Sequence, residues 1–255
     1  MTPQRIALVG IDGSGKSTLA QLLAAEPGYE VLSSLRNHEN PLKELSLVLD
    51  ALASEVDRMG SPDLKLALLY LQMCMFGPTE RFRTLAGRPR TIISDRHPVI
   101  DAAVYLPVFR SMLQGVEHAR TVLEKIDPAA LKQAVAWTNT QARRLGQPLD
   151  LCTLATDLTT LVDEQLPEQL HQLAIRMHTT LPDAVIHLDI SVPEALRRIG
   201  RRGNPRESHE TAAHLRHLQS SYTSVLAALS PIPIHTIQVD HLTPTEVLHE
   251  FRKCA

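Results

Sequence analysis

The feature that most constrains the fold of this chain is a glycine-rich segment near its N-terminus. Gly10-Ile11-Asp12-Gly13-Ser14-Gly15-Lys16-Ser17-Thr18 fits the pattern GxxxxGK[ST], between an apolar run that ends at Val9 and a helical stretch that starts at Leu19. Such a strand–loop–helix unit needs a sheet to carry the loop. Its inward-pointing N–H groups and the positive end of the following helix then face an anion. We therefore expect a phosphate-binding P-loop.

This loop predicts contacts to a nucleoside triphosphate. Lys16 is expected to reach the β and γ phosphates, and the Ser17 hydroxyl is expected to ligate Mg²⁺. Glycine is required because the loop wraps the phosphates with positive φ angles and leaves no room for Cβ. The residues expected to bind ATP are Gly10, Asp12, Gly13, Ser14, Gly15, Lys16, Ser17 and Thr18.

Short apolar runs alternate with helical segments along most of the chain. The predicted strands are 5–9, 30–34, 91–95, 184–190 and 234–240. Apolar residues at three- and four-residue steps predict helices at 42–56, 64–76, 193–202, 207–229 and 243–253. Thr243 suits the N-cap of the last helix because Pro244 follows it. Strands that alternate with helices predict an α/β fold: a three-layer α/β/α P-loop NTPase with a five-stranded parallel sheet.

The region from about 108 to 181 departs from this alternation. Its pattern is helical throughout, without a strand candidate, and Pro128, Gly146-Gln147-Pro148 and Pro167 divide it. We interpret it as an insertion of three or four helices on the sheet core. The expected organisation is thus a single kinase-like domain over residues 1–255, with a lid at about 197–208.

A second set of candidate site residues follows the strand at 91–95. Asp95 ends this strand, and Arg96 comes next. The carboxylate of Asp95 can hold Mg²⁺ through water, or it can take the proton from a hydroxyl of the molecule that receives a phosphate, here called the acceptor. The guanidinium of Arg96 can reach a phosphate or this acceptor. The alternative is an aspartate that only caps the next helix.

A third candidate is an arginine cluster between Arg197 and Arg206, which holds five arginines. The 197/201 and 198/202 spacings put pairs of guanidinium groups on one helix face. Arginine stabilises the negative charge of a transferring phosphoryl group, so we interpret Arg197 and Arg201 as catalytic lid residues. A solvated basic helix face is the alternative.

Composition limits the other functions. The formal net charge is −2 and aromatic residues are 4%, so neither a basic field nor a stacking platform for nucleic acid is expected. Three cysteines without a CxxC spacing suit reduced thiols in the cytoplasm. We expect no membrane partner, a small-molecule acceptor and a possible homodimer.

In this order, the three motifs resemble the thymidylate kinase and deoxynucleoside kinase superfamily. Ser94-Asp95-Arg96-His97-Pro98 is similar to the signature of herpesviral thymidine kinases, and 185–194 is similar to the strand and lid entry of thymidylate kinases. The resemblance spans about 1–106 and 182–255. It implies ATP and Mg²⁺ as cofactors, contact between Asp12 and the acceptor's sugar, and catalytic arginines supplied by the lid.

The resemblance leaves the acceptor open. Thymidylate kinases grip a monophosphate with an arginine at the position of Cys74, and a thiol cannot neutralise a phosphate. Deoxynucleoside kinases have a glutamine in this helix that binds the base edge, a role for which Gln72 is the candidate. Arg36 is a candidate acceptor contact, and Glu39 is a candidate general base. Asp12 and Arg96 are the other candidate acceptor contacts.

The leading hypothesis is a kinase that transfers the γ-phosphate of ATP to a hydroxyl of a nucleoside or a nucleoside-like molecule. The alternatives are a thymidylate kinase-like monophosphate kinase that uses Arg36, and a relative that phosphorylates another small metabolite. A non-enzymatic alternative is a switch in which ATP binding changes how the insertion docks on a partner.

Overall fold

The computed structural model of this chain describes residues 2–35, 41–87, 89–201 and 211–254. It contains five strands: β1 (Gln4–Val9), β2 (Tyr29–Ser33), β3 (Thr91–Asp95), β4 (Ala184–Asp189) and β5 (Ile234–Gln238). They form one sheet in the order β2-β3-β1-β4-β5, and every neighbouring pair is parallel. The predicted α/β class and five-stranded parallel sheet are confirmed.

Helices are found at the predicted segments and also outside them. Those before β4 are α1 (Lys16–Ala24), α2 (Lys43–Arg58), α3 (Pro62–Met73), α4 (Phe76–Gly87), α5 (Pro98–Met112), α6 (Val116–Leu123), α7 (Pro128–Leu145), α8 (Leu154–Thr159) and α9 (Leu166–Met177), with a 3₁₀ turn at Thr160–Asp163. Those after β4 are α10 (Val192–Gly200), α11 (Ala212–Ala227) and α12 (Pro244–Cys254). Helix α4 and the first part of α5 lie where no helix was predicted.

The chain folds as two compact units. The first comprises Met1–Ser33, Arg83–Ile100 and Leu181–Ala255, and contains the whole sheet. The second comprises Ser34–Phe82 and Asp101–Thr180, and is helical in its described part. The second unit therefore includes α2 and α3 in addition to the region that we interpreted as an insertion.

The core of the first unit is centred on β1. Ile6 to Val9 are at most 1% exposed, because a strand with parallel neighbours on both sides and helices over its faces is apolar on both faces. The last helix of the unit starts as predicted. Thr243 N donates to Glu246 Oε2 at 2.8 Å and Glu246 N donates to Thr243 Oγ1 at 3.4 Å, which is a capping box.

In the second unit, one predicted helix ends three residues earlier than expected, and a further helix follows it. Residues 64–76 were expected to form a single buried helix, but α3 ends at Met73 and α4 starts at Phe76. Pro78 explains the break, because a proline has no N–H to donate to the carbonyl of Cys74 four residues earlier. The proline is tolerated within the first turn of α4.

Buried polar contacts join the helices of the second unit. The fully buried Asp63 carboxylate accepts hydrogen bonds from Gln114 N at 2.8 Å and Gly115 N at 3.1 Å, ahead of α6. Trp137 Nε1 on α7 donates to the carbonyl of Leu71 on α3 at 2.9 Å. Among the described helices, none alone is long and apolar enough to cross a membrane, whereas α5 and α6, bent by 91°, meet those criteria as a pair.

Candidate functional site

The glycine-rich loop follows the middle strand of the sheet. Leu8 of β1 is in register with Asp95, the last residue of β3, and Val9 is in register with His187 of β4. Parallel strands end at one edge of the sheet, and ligands of open α/β sheets bind outside that edge. The first unit therefore brings the loop after β1 and the carboxylate after β3 to the same edge.

The loop has the backbone conformation that its glycines predict. Gly10, Gly13 and Gly15 have φ angles of 141°, 86° and 94°. A Cβ at Gly10 would lie 2.4 Å from the carbonyl oxygen of Leu188, and one at Gly13 would lie 2.7 Å from that of Ala195. The loop thus packs on the end of β4 and on α10 too closely for any side chain at these two positions.

Lys16 places a cation inside the loop. Its side chain is buried, and its Nζ donates to the carbonyl oxygens of Gly10 at 2.7 Å and Ile11 at 2.9 Å. Gly15 is the N-cap of α1 and supplies no side-chain cap, so the N–H groups of the first turn are left to a ligand. Ser17 and Thr18, in that first turn, are exposed.

Asp95 lies at the end of β3 with an unsatisfied oxygen. Its Oδ1 is buried and has no hydrogen-bond partner among the described residues. A buried carboxylate oxygen of this kind suits a hydrated cation or the hydroxyl of a ligand as its partner. Asp95 and Ser17, the two predicted Mg²⁺ ligands, offer the oxygen donors that Mg²⁺ prefers, so the site fits this ion.

Asp12 and Arg96 form an ion pair between the loop and the end of β3. Arg96 has a φ of 70°, which is rare for a residue with a side chain, and its N–H donates to the carbonyl of Leu8 at 3.1 Å. Both side chains are only partly exposed, at 24% for Arg96 and 16% for Asp12. A residue held in the left-handed region beside the loop is typical of a functional position.

A cavity of about 520 Å³ opens next to the loop in the first unit. Its size is that of a pocket for a nucleoside or a drug-sized ligand. Ser14, Gly15 and Thr18 of the loop line one side, and arginines of α10 line another. The segment between β5 and α12 completes the wall with Asp240, His241, Leu242 and Thr243.

The arginines of α10 reach this cavity in a different arrangement from the predicted one. Arg197, Arg198 and Arg201 all line it, but Arg197 and Arg198 share the carboxylate of Glu194. Hydrogen bonds from these two arginines hold the pKa of Glu194 at about 2. Arg202 and Arg206, and the predicted lid beyond Arg201, lie outside the described residues.

Sequence reasoning placed Arg198 in the arginine cluster without a role of its own, and it did not single out Glu194 or the segment after β5. Arg198 Nη2 donates to the carbonyl oxygens of Val239 and of Asp240, the latter at 3.3 Å. Two signals were available: Glu194 stands three and four residues before the two arginines, and the loop after β5 must lie at the carboxyl edge of the sheet.

The predicted acceptor residues are divided between the two units. Arg36 and Glu39 lie outside the described residues, and Asp12 and Arg96 belong to the first unit. Gln72 lies in α3 of the second unit, where its side chain is 2% exposed. Both its Nε2 and its Oε1 are buried without a hydrogen-bond partner among the described residues. An amide with two unsatisfied buried atoms is costly, which favours a ligand as its partner.

Three comparisons with known proteins agree with the predicted superfamily. Residues 152–251 match the sequence profile of the deoxynucleoside kinase family. A thymidylate kinase from Leptospira borgpetersenii is 30% identical over 89 residues, which are 34% of this chain and 40% of the relative. One from Leptospira interrogans serovar Copenhageni is 32% identical over 78 residues, 31% of this chain and 35% of the relative.

The comparison of folds extends over nearly the whole chain. A structure of deoxyadenosine kinase from M. mycoides, with the products dCMP and a flexible dCDP bound, superposes with a TM-score of 0.52. It is 16% identical, and the match covers 98% of each chain. At this identity the similarity shows the fold, so the P-loop α/β architecture predicted from the sequence is confirmed. The sequence matches cover well under half of each thymidylate kinase.

Proposed function

We propose that this chain, which is similar in sequence to deoxynucleoside and thymidylate kinases, transfers the γ-phosphate of ATP to a hydroxyl of a nucleoside or nucleoside-like molecule. The observation that carries the proposal is the edge of the sheet in the first unit. There the buried ammonium of Lys16 lies in the loop, and at the end of the neighbouring strand Asp95 has a buried oxygen with no hydrogen-bond partner among the residues that the structure describes.

The donor nucleotide is proposed to bind along the loop and the adjoining cavity. Its phosphates face Lys16 and the first-turn N–H groups of α1, and its base and ribose occupy the cavity beside α10. Mg²⁺, when bound by Ser17 and Asp95 with the triphosphate, supplies positive charge to the phosphate oxygens. Lys16 and the arginines of α10 stabilise the negative charge that spreads over the transferred group.

The acceptor is proposed to be a nucleoside without a phosphate. Cys74, at the position where thymidylate kinases grip the acceptor's phosphate, is fully buried, and burial raises the pKa of its thiol to about 12. A neutral thiol gives a phosphate no charge compensation. The unsatisfied amide of Gln72 instead suits the paired donor and acceptor of a base edge. Arg36, Glu39, Asp12 and Arg96 remain the other proposed acceptor contacts.

One assay distinguishes the candidate functions. ADP formation and the phosphorylated product are measured with ATP·Mg²⁺ in separate reactions. Each reaction contains one acceptor: one of the four deoxynucleosides, which include thymidine, or dTMP. We expect phosphorylation of at least one nucleoside and none of dTMP. Transfer to dTMP alone would overturn the nucleoside proposal in favour of a monophosphate kinase, the function of the thymidylate kinases that match by sequence. Nucleotide binding without transfer to any of these acceptors would overturn it too.

The acceptor assignment has a spectroscopic test. Trp137 is the single tryptophan of the chain, and its Nε1 is bonded to the carbonyl of Leu71, the neighbour of Gln72. A nucleoside bound at Gln72 should therefore change tryptophan fluorescence. Gln72→Leu should abolish this titration. The matched control is Gln169→Leu, because Gln169 is also buried in the second unit with an unsatisfied Nε2. Equal titrations in both variants would remove Gln72 from the acceptor site.

A further inference from the structure

The carboxylate of Glu194 lies between two arginines of the same helix. Glu194 Oε1 accepts hydrogen bonds from Arg198 Nε at 2.8 Å and from Arg197 Nη2, and its Oε2 accepts one from Arg197 Nε. Adjacent guanidinium groups repel each other, and a shared carboxylate removes that repulsion while it fixes both orientations. One positive charge remains on the trio for an anionic ligand.

The two arginines differ in what else they contact. Arg198 also donates to the carbonyl oxygens of Val239 and Asp240, and its side chain is 24% exposed. Arg197 is 46% exposed, and Glu194 is its one hydrogen-bond partner among the described residues. Arg198 is thus part of the cavity wall, whereas Arg197 stands at the cavity with a guanidinium face open to a ligand.

A second contact joins the same two elements. Ser191 N, at the start of α10, donates to the Asp240 carboxylate at 3.1 and 3.2 Å. The start of the segment after β5 therefore contacts α10 near both ends of that helix, at Ser191 and at Arg198. Arg198 and Asp240, which take part in these contacts, also line the cavity that we assign to the base and ribose of the donor. Its shape depends on the orientation of Arg198, which Glu194 fixes.

We propose that Glu194 is a positioning residue of the donor site, which sets the affinity for ATP by orienting Arg198 as the cavity wall and Arg197 toward the ligand. This inference rests on the proposed function, because it assigns the cavity to ATP. Glu194 also lines this cavity, and its carboxylate acts on the nucleotide through the two arginines that it holds. Its removal should therefore affect the donor and leave the acceptor unaffected.

The test is Glu194→Gln, which keeps the side-chain shape but places an NH₂ group against a guanidinium. Loss of charge-assisted hydrogen bonds should raise the KM for ATP by about tenfold. The acceptor's KM should stay within about twofold of wild type, since its contacts are unchanged. Combining Glu194→Gln with Arg198→Gln should raise the KM by less than the product of the two single effects, because part of the effect of the carboxylate passes through that arginine.

Glu117→Gln is the matched control. Glu117 pairs with Arg120 three residues later, as Glu194 does with Arg197, but at 2.9 Å on the surface of α6 in the second unit. Its KM for ATP should not change. If Glu194→Gln fails the check of folding by circular dichroism, Arg198→Lys, which retains the charge without the fork, should show the same ATP-specific loss.

Direct binding separates this inference from the function on which it rests. A fluorescent N-methylanthraniloyl derivative of ATP is titrated into each protein without acceptor. Failure of the wild-type protein to bind it would overturn the proposed function. Tight binding by wild type with an equal dissociation constant for folded Glu194→Gln would overturn the positioning role alone. An equal rise of the KM values for ATP and acceptor would contradict it as well.

Discussion

At the scale of single residues, Lys16 and Asp95 differ in the hydrogen-bond partners that their charged groups find among the described residues. The ammonium of Lys16 donates hydrogen bonds to carbonyl oxygens of its own loop, whereas the Asp95 carboxylate has a buried oxygen for which the described part of the chain supplies no partner. The lysine therefore contributes to the structure of the loop before any ligand binds. A buried oxygen of this kind costs stability, and a bound cation or hydroxyl can offset that cost. Replacing Lys16 should therefore lower the stability of the protein, whereas replacing Asp95 should not.

Replacing Lys16 should damage both activity and stability. Lys16→Ala removes the cation expected to face the β and γ phosphates, so kcat should fall by about 100-fold or more. It also leaves the carbonyls of Gly10 and Ile11 without this donor, which should lower the free energy of unfolding by about 2 kcal/mol. Turnover and urea unfolding measure the two effects. Lys65→Ala, at an exposed pair with Asp57, is the control that should change neither. Near-normal turnover in Lys16→Ala would contradict the phosphate site.

Replacing Asp95 should separate activity from stability. Asp95→Asn removes a charge whose Oδ1 has no partner among the described residues, so the protein should unfold at an equal or higher temperature. Loss of the Mg²⁺ ligand or proton acceptor should nevertheless lower kcat by about 100-fold. Much of the affinity for ATP should remain, since the loop is untouched. Wild-type kinetics, measured in the same buffer as calorimetry, would exclude Asp95 from the mechanism.

At the scale of elements, the loop is fixed by its contact with α10. Gly13 has a φ of 86°, and a Cβ there would lie 2.7 Å from the Ala195 carbonyl oxygen. The loop and the helix that carries the arginines are therefore packed backbone to backbone. A change that separates them alters both halves of the proposed donor site.

Gly13→Ala should disrupt this packing. Gly60→Ala is its control, because Gly60 has a comparable φ of 72° but open space around it. In the control, the free energy of unfolding should fall only by the cost of an alanine in the left-handed region, about 1 kcal/mol. Gly13→Ala should lose more in thermal unfolding and should also weaken ATP binding in titration. Equal stability of the two variants would show that α10 does not restrict the loop.

Elements were predictable where one local signal decides them. The strand at Thr91–Asp95 was placed to the residue, because an apolar run ends there in charged residues. The break between α3 and α4 was missed because apolar periodicity continues across it, although Pro78 marked it. The role of Glu194 was missed for another reason. Sequence spacing shows which side chains share a helix face. It does not show that Arg197 and Arg198 bind the carboxylate of Glu194, because the position of Arg198 also depends on its contacts with Val239 and Asp240 after β5.

At the scale of the whole molecule, the three thiols report on the two units. Cys74 and Cys152 are buried in the second unit, and the partly exposed Cys254 belongs to the first. Burial raises the pKa of Cys74 to about 12, so this thiol stays protonated and unreactive at pH 8. Fast labelling by a disulfide reagent should therefore modify a single thiol in the native protein and all three in denaturant.

Cys254→Ser should abolish the fast native labelling and leave activity unchanged. The two slower thiols then give the rate at which the second unit opens, measured over a urea series. Fast labelling of Cys74 in the folded Cys254→Ser protein would contradict the burial of α3. Addition of the acceptor should slow the labelling further if it binds at Gln72, two residues away.

The strand order has a consequence for biosynthesis. β1 is the middle strand, yet its neighbour β4 starts at Ala184, after both segments of the second unit. A ribosome therefore delivers every residue of the helical unit while the nascent sheet still has an open edge beside β1. The helices can condense early, whereas the P-loop gains its contacts with Leu188 and Ala195 only late in translation. A chain truncated before residue 184 would expose that apolar edge to aggregation.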